Sequence, residues 1–173
     1  MAISSDELLL AACARGDEDA FGELVARYSG VLDAFFRRRL PDDGRIEELR
    51  QETLLAIYAL LPSYREKGRF RSLVFTIAYR KLASSRRAER AEIGFSEKIR
   101  AVDSDPLAFE VRAAIDSLPE TLRESLVLTQ LDGLTAREAG EVLGCSEKAV
   151  RARNCRARSL LAKKLRPKQR GKS

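Results

Sequence analysis

The residues best suited to chemistry here are cations gathered on one helix. From Lys148 to the C-terminus the chain carries eleven Lys or Arg and no acid. At 100° per residue the segment after Ser146 divides into two faces. Val150, Asn154, Ala157 and Leu161 fall on one side. Lys148, Arg151, Ala152, Cys155, Arg156 and Ser159 fall on the other, with Arg153 and Arg158 at its sides. The basic face therefore lies opposite the packing face. Arginine pairs with guanine or with phosphate, and a small residue such as Ala152 permits close approach to a groove. This is the chemistry of duplex DNA recognition.

Covalent chemistry finds no comparable support. The chain has no histidine, and Cys13, Cys145 and Cys155 are scattered without a C-x-x-C pair. A zinc site of His and Cys is out of reach, and so is a histidine base. No nucleophile–base pair, phosphate loop or carboxylate cluster stands out, so no enzyme activity, metal or cofactor is expected. The thiols read as the reduced thiols of a cytoplasmic protein.

The elements that must position the basic helix are legible from caps and breakers. Thr135 caps a short helix, AREAGEVL, with Glu138 three residues on as its capping-box partner. Gly144 gives a tight turn, Ser146 caps the last helix, and Glu147 suits its positive N-terminus. Two helices joined this way make a helix-turn-helix signal. Upstream, LAFEVRAAIDSL reads as a helix from Leu107. Pro119 suits the first turn of the next, PETLRESLVLTQL, which Gly133 ends.

The first half is also helical. Ser4, Ser5 and Asp6 offer caps for a helix ending near Gly16, with Leu8, Leu9, Ala11 and Ala12 on one face. Phe21, Leu24, Val25, Tyr28, Leu32 and Phe35 give a second amphipathic helix, broken at PDDG (41–44). A third runs from about Arg45 to Leu61, with Ile46, Leu49, Leu54, Ile57, Tyr58 and Leu61 as its core stripe. After the loop SYREKGRF a fourth runs from about Arg71 to Ala91, with Leu73, Val74, Ile77, Ala78 and Leu82 inward. Residues 92–106 lose the periodicity and read as a linker. The expectation is an all-α protein of two small helical domains, 1–91 and 107–173, joined by a flexible linker at 92–106.

Charge is unevenly distributed along this plan. Residues 1–64 hold twelve acids and seven bases, and residues 65–90 hold nine bases and two acids. The net charge of +6 thus hides two basic segments and one acidic one. Basic stripes are the footprint of a nucleic-acid binder. No apolar run approaches the ~20 residues a membrane helix needs. The N-terminus lacks the basic region of a signal peptide. A cytoplasmic protein with no membrane insertion of its own is expected.

Three stretches together carry a family likeness. DEDAFGELVARY, then EELRQETLLAIYALLPSYREKGRFRSLVFTIAYRKLASSRR, then LPETLRESLVLTQLDGLTAREAGEVLGCSEKAVRARNCRARSLLAKKL resemble the extracytoplasmic-function (ECF) sigma factors of bacterial RNA polymerase. The most specific pieces are the L-x-Q-E block at Leu49–Glu52, the K-G-R-F loop at 67–70, and L-P-x-x-x-R-E-x-L-x-L…L-x-G-L-T-x-x-E-A at 118–139. The resemblance implies a region 2 helical bundle, a region 4 helix-turn-helix, and three partners: core RNA polymerase, promoter DNA and an anti-sigma factor.

It also implies roles. Core polymerase would dock on the third helix around Glu48, Leu49, Gln51, Glu52 and Leu55; the alternative is a solvated acidic face. The −10 strand would meet Arg65, Lys67, Arg69, Phe70 and Arg71 of the loop and Tyr79, Arg80, Arg86 and Arg87 of the fourth helix. Phe70 fits a core anchor as well, and Tyr79 a packing residue. The −35 element would be read by Lys148, Arg151, Ala152, Arg153, Cys155, Arg156, Arg158 and Ser159. The chain departs from the family's usual pattern at Leu73, Tyr79-Arg80 and Asn154, where tryptophan, Arg-Asn and leucine are common. Gly140 stands where alanine is common, at a cost of about 0.5–1 kcal/mol of helix stability. Two rival readings remain: a polymerase-independent helix-turn-helix regulator, and a sigma-like decoy that binds an anti-sigma factor.

Overall fold

A computed structural model describes residues 5–65, 68–93 and 106–165, of which 89–93 and 106–108 are described by backbone alone. Among the described residues there are eight α-helices and no strand. They are α1 (Asp6–Cys13), α2 (Glu18–Arg37), α3 (Asp43–Leu60), α4 (Phe70–Ile93), α5 (Pro106–Asp116), α6 (Glu120–Gln130), α7 (Ala136–Leu143) and α8 (Glu147–Lys164). A 3-10 turn, Leu61–Ser63, follows α3. The chain divides into two compact units, Met1–Arg100 and Ala101–Ser173. Most of the segment 92–106, and Lys67, lie outside the described residues.

In the first unit, local chemistry sets the helix starts. The Asp17 carboxylate accepts the Ala20 N–H at 3.1 Å and caps α2. Asp42 does the same for α3 through Gly44 and Arg45. PDDG therefore starts α3 as well as breaking α2, and α3 begins two residues before Arg45. Leu24, Leu32, Phe35 and Phe36 of α2 pack with Ile46, Leu49 and Ile57 of α3 and with Phe70, Val74, Phe75 and Leu82 of α4. Phe35 meets Phe36 and Phe75 edge-on at centroid distances of 5.1 and 5.6 Å. The buried Arg39 guanidinium lies 3.9 Å from the Phe35 ring centre and donates to the Phe35 carbonyl at 3.0 Å. Arg50 donates to both Asp33 oxygens at 2.9 Å, fixing α3 to α2.

Several positions differ from the sequence expectation. Leu8 is 63% exposed, because the short α1 seats only Leu9 deeply. Tyr58 is 54% exposed, and Thr53 takes the inward place by returning its hydroxyl to the Leu49 carbonyl at 2.6 Å. Phe75 and Phe36 are fully buried, although the period count passed over both. α1 is held instead by polar groups: Asp6 accepts from Arg27 and from the Tyr28 hydroxyl, both at 2.5 Å.

The second unit is built on Leu118, Leu122, Leu126 and Ala157, with Leu160 and Leu161 against them. Pro119 is the N-cap of α6 and the helix begins at Glu120. α6 ends at Gln130, and Gly133 (φ 69°) closes the turn that follows it. The capping box of Thr135 and Glu138 is complete, and Ser146 caps α8 through the Ala149 N–H at 3.2 Å. Gly144 adopts φ 64°, a left-handed conformation that ends α7. Gly140 fits a close approach of the turn as this chain builds it. A Cβ there would stand 2.6 Å from the Cys145 carbonyl oxygen, a closeness no side chain tolerates. In this chain the propensity cost at Gly140 accompanies a close approach of the α7–α8 turn.

Candidate nucleic-acid interface

Residue exposure on α8 follows the angular division. Val150, Asn154 and Ala157 are buried, while Lys148, Arg151, Ala152, Cys155, Arg156, Arg158 and Ser159 are exposed and Arg153 is half-buried. The cations fall into two sets. Arg151 donates through Nε and Nη2 to Glu147 at 2.9 and 2.5 Å. Arg153 donates to the Cys145 sulfur at 3.4 Å, and Lys164 donates to the Ser117 hydroxyl. Lys148, Arg156 and Arg158 have no hydrogen bond or ion pair among the described residues. An uncompensated cation on a rigid, capped helix is the element a polyanion meets first.

The packing side holds an unusual polar residue. Asn154 is 6% exposed and donates through Nδ2 to the Thr129 hydroxyl of α6 at 2.8 Å. Its carbonyl oxygen has no partner. The asparagine thus finds half of the hydrogen bonding its burial demands.

In the first unit the second basic stripe runs along the loop and α4. Arg65, Arg69, Arg71, Arg80 and Arg87 are exposed, and Tyr79 and Arg86 are half-buried. Arg65 donates to the carbonyls of Pro62 and Tyr64 at 2.8 and 2.9 Å, and Arg86 to that of Arg39 at 3.3 Å. Arg80 and Arg87 have no such partner among the described residues. Phe70 is different. It is 4% exposed, and its ring meets Tyr28 and Tyr64 at 5.5 and 5.8 Å. It is a core anchor for the loop, closed to a stacking base in this conformation.

Along α3, Glu48 and Gln51 are exposed and Glu52 is half-buried. Glu52 accepts from Lys81 of α4 at 2.9 Å, and Glu48 accepts from Arg45. Leu49 is 1% exposed and belongs to the core, so only its polar neighbours face outward. Leu55 is 68% exposed and continues into an apolar groove with Cys13, Phe21, Tyr58, Leu61 and Pro62. Phe21 and Tyr58 pair there at 4.8 Å. Sequence reasoning placed Tyr58 in the core stripe of its helix and Phe21 among the apolar residues of an amphipathic one. The signal it lacked was the shortness of α1, which leaves the end of α3 uncovered.

A fold that is helical among the described residues, with a capped helix-turn-helix, an outward cationic helix face and a second cationic helix, defines the class of DNA-binding regulators. Comparison with known proteins is specific. Residues 24–92 match the family described as Sigma-70 region 2, and residues 108–161 match Sigma-70, region 4. The ECF RNA polymerase sigma factor ShbA of Streptomyces griseus is 37% identical over 84% of this chain and 87% of its own. The ECF RNA polymerase sigma-E factor of Salmonella typhimurium is 28% identical over 94% and 95%. Among solved structures, CnrH in complex with the cytosolic domain of CnrY is 28% identical, with a TM-score of 0.70 over 92% of this chain and 96% of that one. The sigma factor RpoE of Bartonella quintana, solved with the anti-sigma factor NepR, shares the fold at 23% identity and a TM-score of 0.69, over 86% and 98%. The chain belongs to the ECF sigma factors, which direct RNA polymerase to promoters.

Proposed function

We propose that this sigma factor divides its work between its two units: residues 1–91 engage core polymerase and the −10 strand, residues 107–173 engage the −35 duplex, and 92–106 link them. The observation that carries this is the outer face of α8, where Lys148, Arg156 and Arg158 stand exposed and unpaired among the described residues. Lys148, Arg151, Ala152, Cys155, Arg156 and Ser159 face the major groove, and Arg153 and Arg158 flank it. Arg65, Lys67, Arg69, Arg71, Tyr79, Arg80, Arg86 and Arg87 attend the opened −10 strand, where cations offset the bared phosphates. Phe70 acts from beneath, by holding the loop.

Core polymerase docks on Glu48, Gln51, Glu52 and Leu55, with Leu49 fixing the helix from inside. No covalent step is performed by the chain, which works in the cytoplasm. No helix among the described residues is long and apolar enough to cross a membrane. An anti-sigma factor holds the protein inactive, as the likeness to CnrH in its complex with a cytosolic domain suggests. A decoy role is disfavoured by the abundance of DNA-facing cations.

The test is co-elution with bacterial core polymerase at moderate salt, followed by run-off transcription. Leu55→Asp is exposed enough to leave the fold intact and should abolish co-elution. Arg156→Glu should keep co-elution while −35 duplex binding drops at least tenfold. Equal loss of both activities in either variant contradicts the division of labour.

A further inference from the structure

The cations of α4 are not equally available. Arg80, Ser84 and Arg87 are exposed on one face of the helix, and the two arginines have no hydrogen bond or ion pair among the described residues. Lys81 stands about 60° from Ser84 around the helix, within the sweep of its four-carbon stem. Its ammonium is already engaged: it donates to Glu52 Oε2 of α3 at 2.9 Å. The Lys81 and Glu52 side chains are 37% and 39% exposed, and each is the other's sole hydrogen-bond or ionic partner among the described residues. The neighbouring polar side chains of α3 pair within their own helix, Glu48 with Arg45 and Gln51 with Glu47. Glu52 instead directs its charge across the seam between α3 and α4.

Each member of the pair belongs to a different binding surface. Glu52 lies in the L-x-Q-E block on the polar side of α3, and Lys81 adjoins the outward cations of α4. A half-exposed pair of this kind favours the closed arrangement by only about two- to fivefold. A partner that claims either member therefore opens it at little cost. We propose that Glu52 and Lys81 form a latch: Lys81 is a further charge partner for the bared −10 strand, held out of use by Glu52 and released when core polymerase takes that carboxylate. The inference rests on the reading of α3 as the polymerase face and α4 as the strand face. A lysine ammonium is a point charge that reads no base, so its contribution is to a strand phosphate and not to sequence choice. By linkage the effect is mutual: polymerase and strand each tighten the other's binding by the factor to which the pair is closed. The free chain thus keeps one cation fewer for DNA than the same chain on polymerase.

The test uses the full-length protein, core polymerase and a fluorescent oligothymidylate, a single strand that offers phosphates without a promoter sequence. Glu52→Gln should weaken polymerase binding and tighten the free protein's hold on the strand by about two- to fivefold, because Lys81 is released. Glu47→Gln removes the same charge elsewhere on α3; it sets the background and should give a smaller rise. Lys81→Gln should tighten polymerase binding by about two- to fivefold, since Glu52 no longer has a competing partner. The same variant should lose more strand affinity on polymerase than free. Its slope of log affinity against log salt should fall by about 0.7 on polymerase, as for one lost single-strand phosphate contact. A pair that only holds α3 to α4 predicts losses in both variants and a gain in neither.

Weaker polymerase binding by Lys81→Gln would mean that the lysine orients Glu52 for docking, and would overturn the latch. Equal gains of strand affinity in Glu52→Gln and Glu47→Gln would overturn it too, by reducing the effect to net charge. The two levels of the inference fail differently. If Glu52→Gln leaves polymerase binding intact, the docking surface fails and the latch with it. If Glu52→Gln weakens polymerase binding but neither variant gains affinity for its remaining partner, the docking reading stands and the latch alone fails.

Discussion

Gly140 of α7 and Cys145 of the following turn are in backbone contact: the Cys145 N–H donates to the Gly140 carbonyl at 2.9 Å. The space between them admits no side chain, since a Cβ on Gly140 would reach 2.6 Å from the Cys145 oxygen. Propensity alone favours Gly140→Ala by about 1 kcal/mol. Backbone crowding opposes it, because the obstructing atom cannot rotate away. We expect a net loss of about 1–3 kcal/mol, typical of overpacking. Urea denaturation followed by the helical signal decides between the two effects; an increase in stability would show that the turn relaxes freely.

Phe70 ties the loop proposed for the −10 strand to the core. Phe70→Ala should cost about 3–5 kcal/mol, as for other buried aromatic truncations. Phe70→Leu keeps most of the volume and should retain both stability and −10 strand binding. A leucine variant that folds normally yet loses the strand would assign the ring a direct stacking role.

The Tyr28 hydroxyl, buried against the Asp6 carboxylate, makes the first unit sensitive to alkali. Burial, then the hydrogen bond to Asp6, push its pKa well above the ordinary 10.0. The folded state therefore favours the protonated phenol, and the stabilisation is complete below about pH 10. It is lost as the pH rises above that value, because the unfolded phenol ionises first. Tyr28→Phe should be less stable than wild type by about 1–3 kcal/mol at pH 8, and should lose less stability between pH 10 and 11.5. Parallel declines of the two proteins over that interval would refute the linkage.

What could be read in the sequence was mostly local. Thr135 with Glu138, and Ser146, announce their helices because a cap is satisfied within four residues. The outer face of α8 was equally legible, since one angle per residue separates Lys148 and Arg156 from Val150 and Ala157. Tertiary facts were not. Periodicity put Tyr58 inward, but coverage depends on the length of α1, a separate element. It missed Phe75, whose burial depends on Phe35 two helices earlier. Leu49 and Phe70 sit inside motifs that carry function, and the motif does not say which members face the partner and which hold the scaffold. Gly140 looked like a weak helix residue because its reason, the Cys145 carbonyl, lies across a turn.

The helices of each unit pack mainly against near neighbours in sequence: α2 on α1 and α3, α3 on α4, and α8 on α6 and α7. Ordering so few residues between contacts makes folding fast, on the order of microseconds to milliseconds for helical domains of this kind. Ribosomes add roughly 5–20 residues per second. The first unit is thus folded seconds before the cations of α8 are translated. A nascent chain presents the surface proposed for polymerase with no helix-turn-helix attached, and on that proposal it can for that interval be recognised by a protein partner but not yet by a −35 duplex.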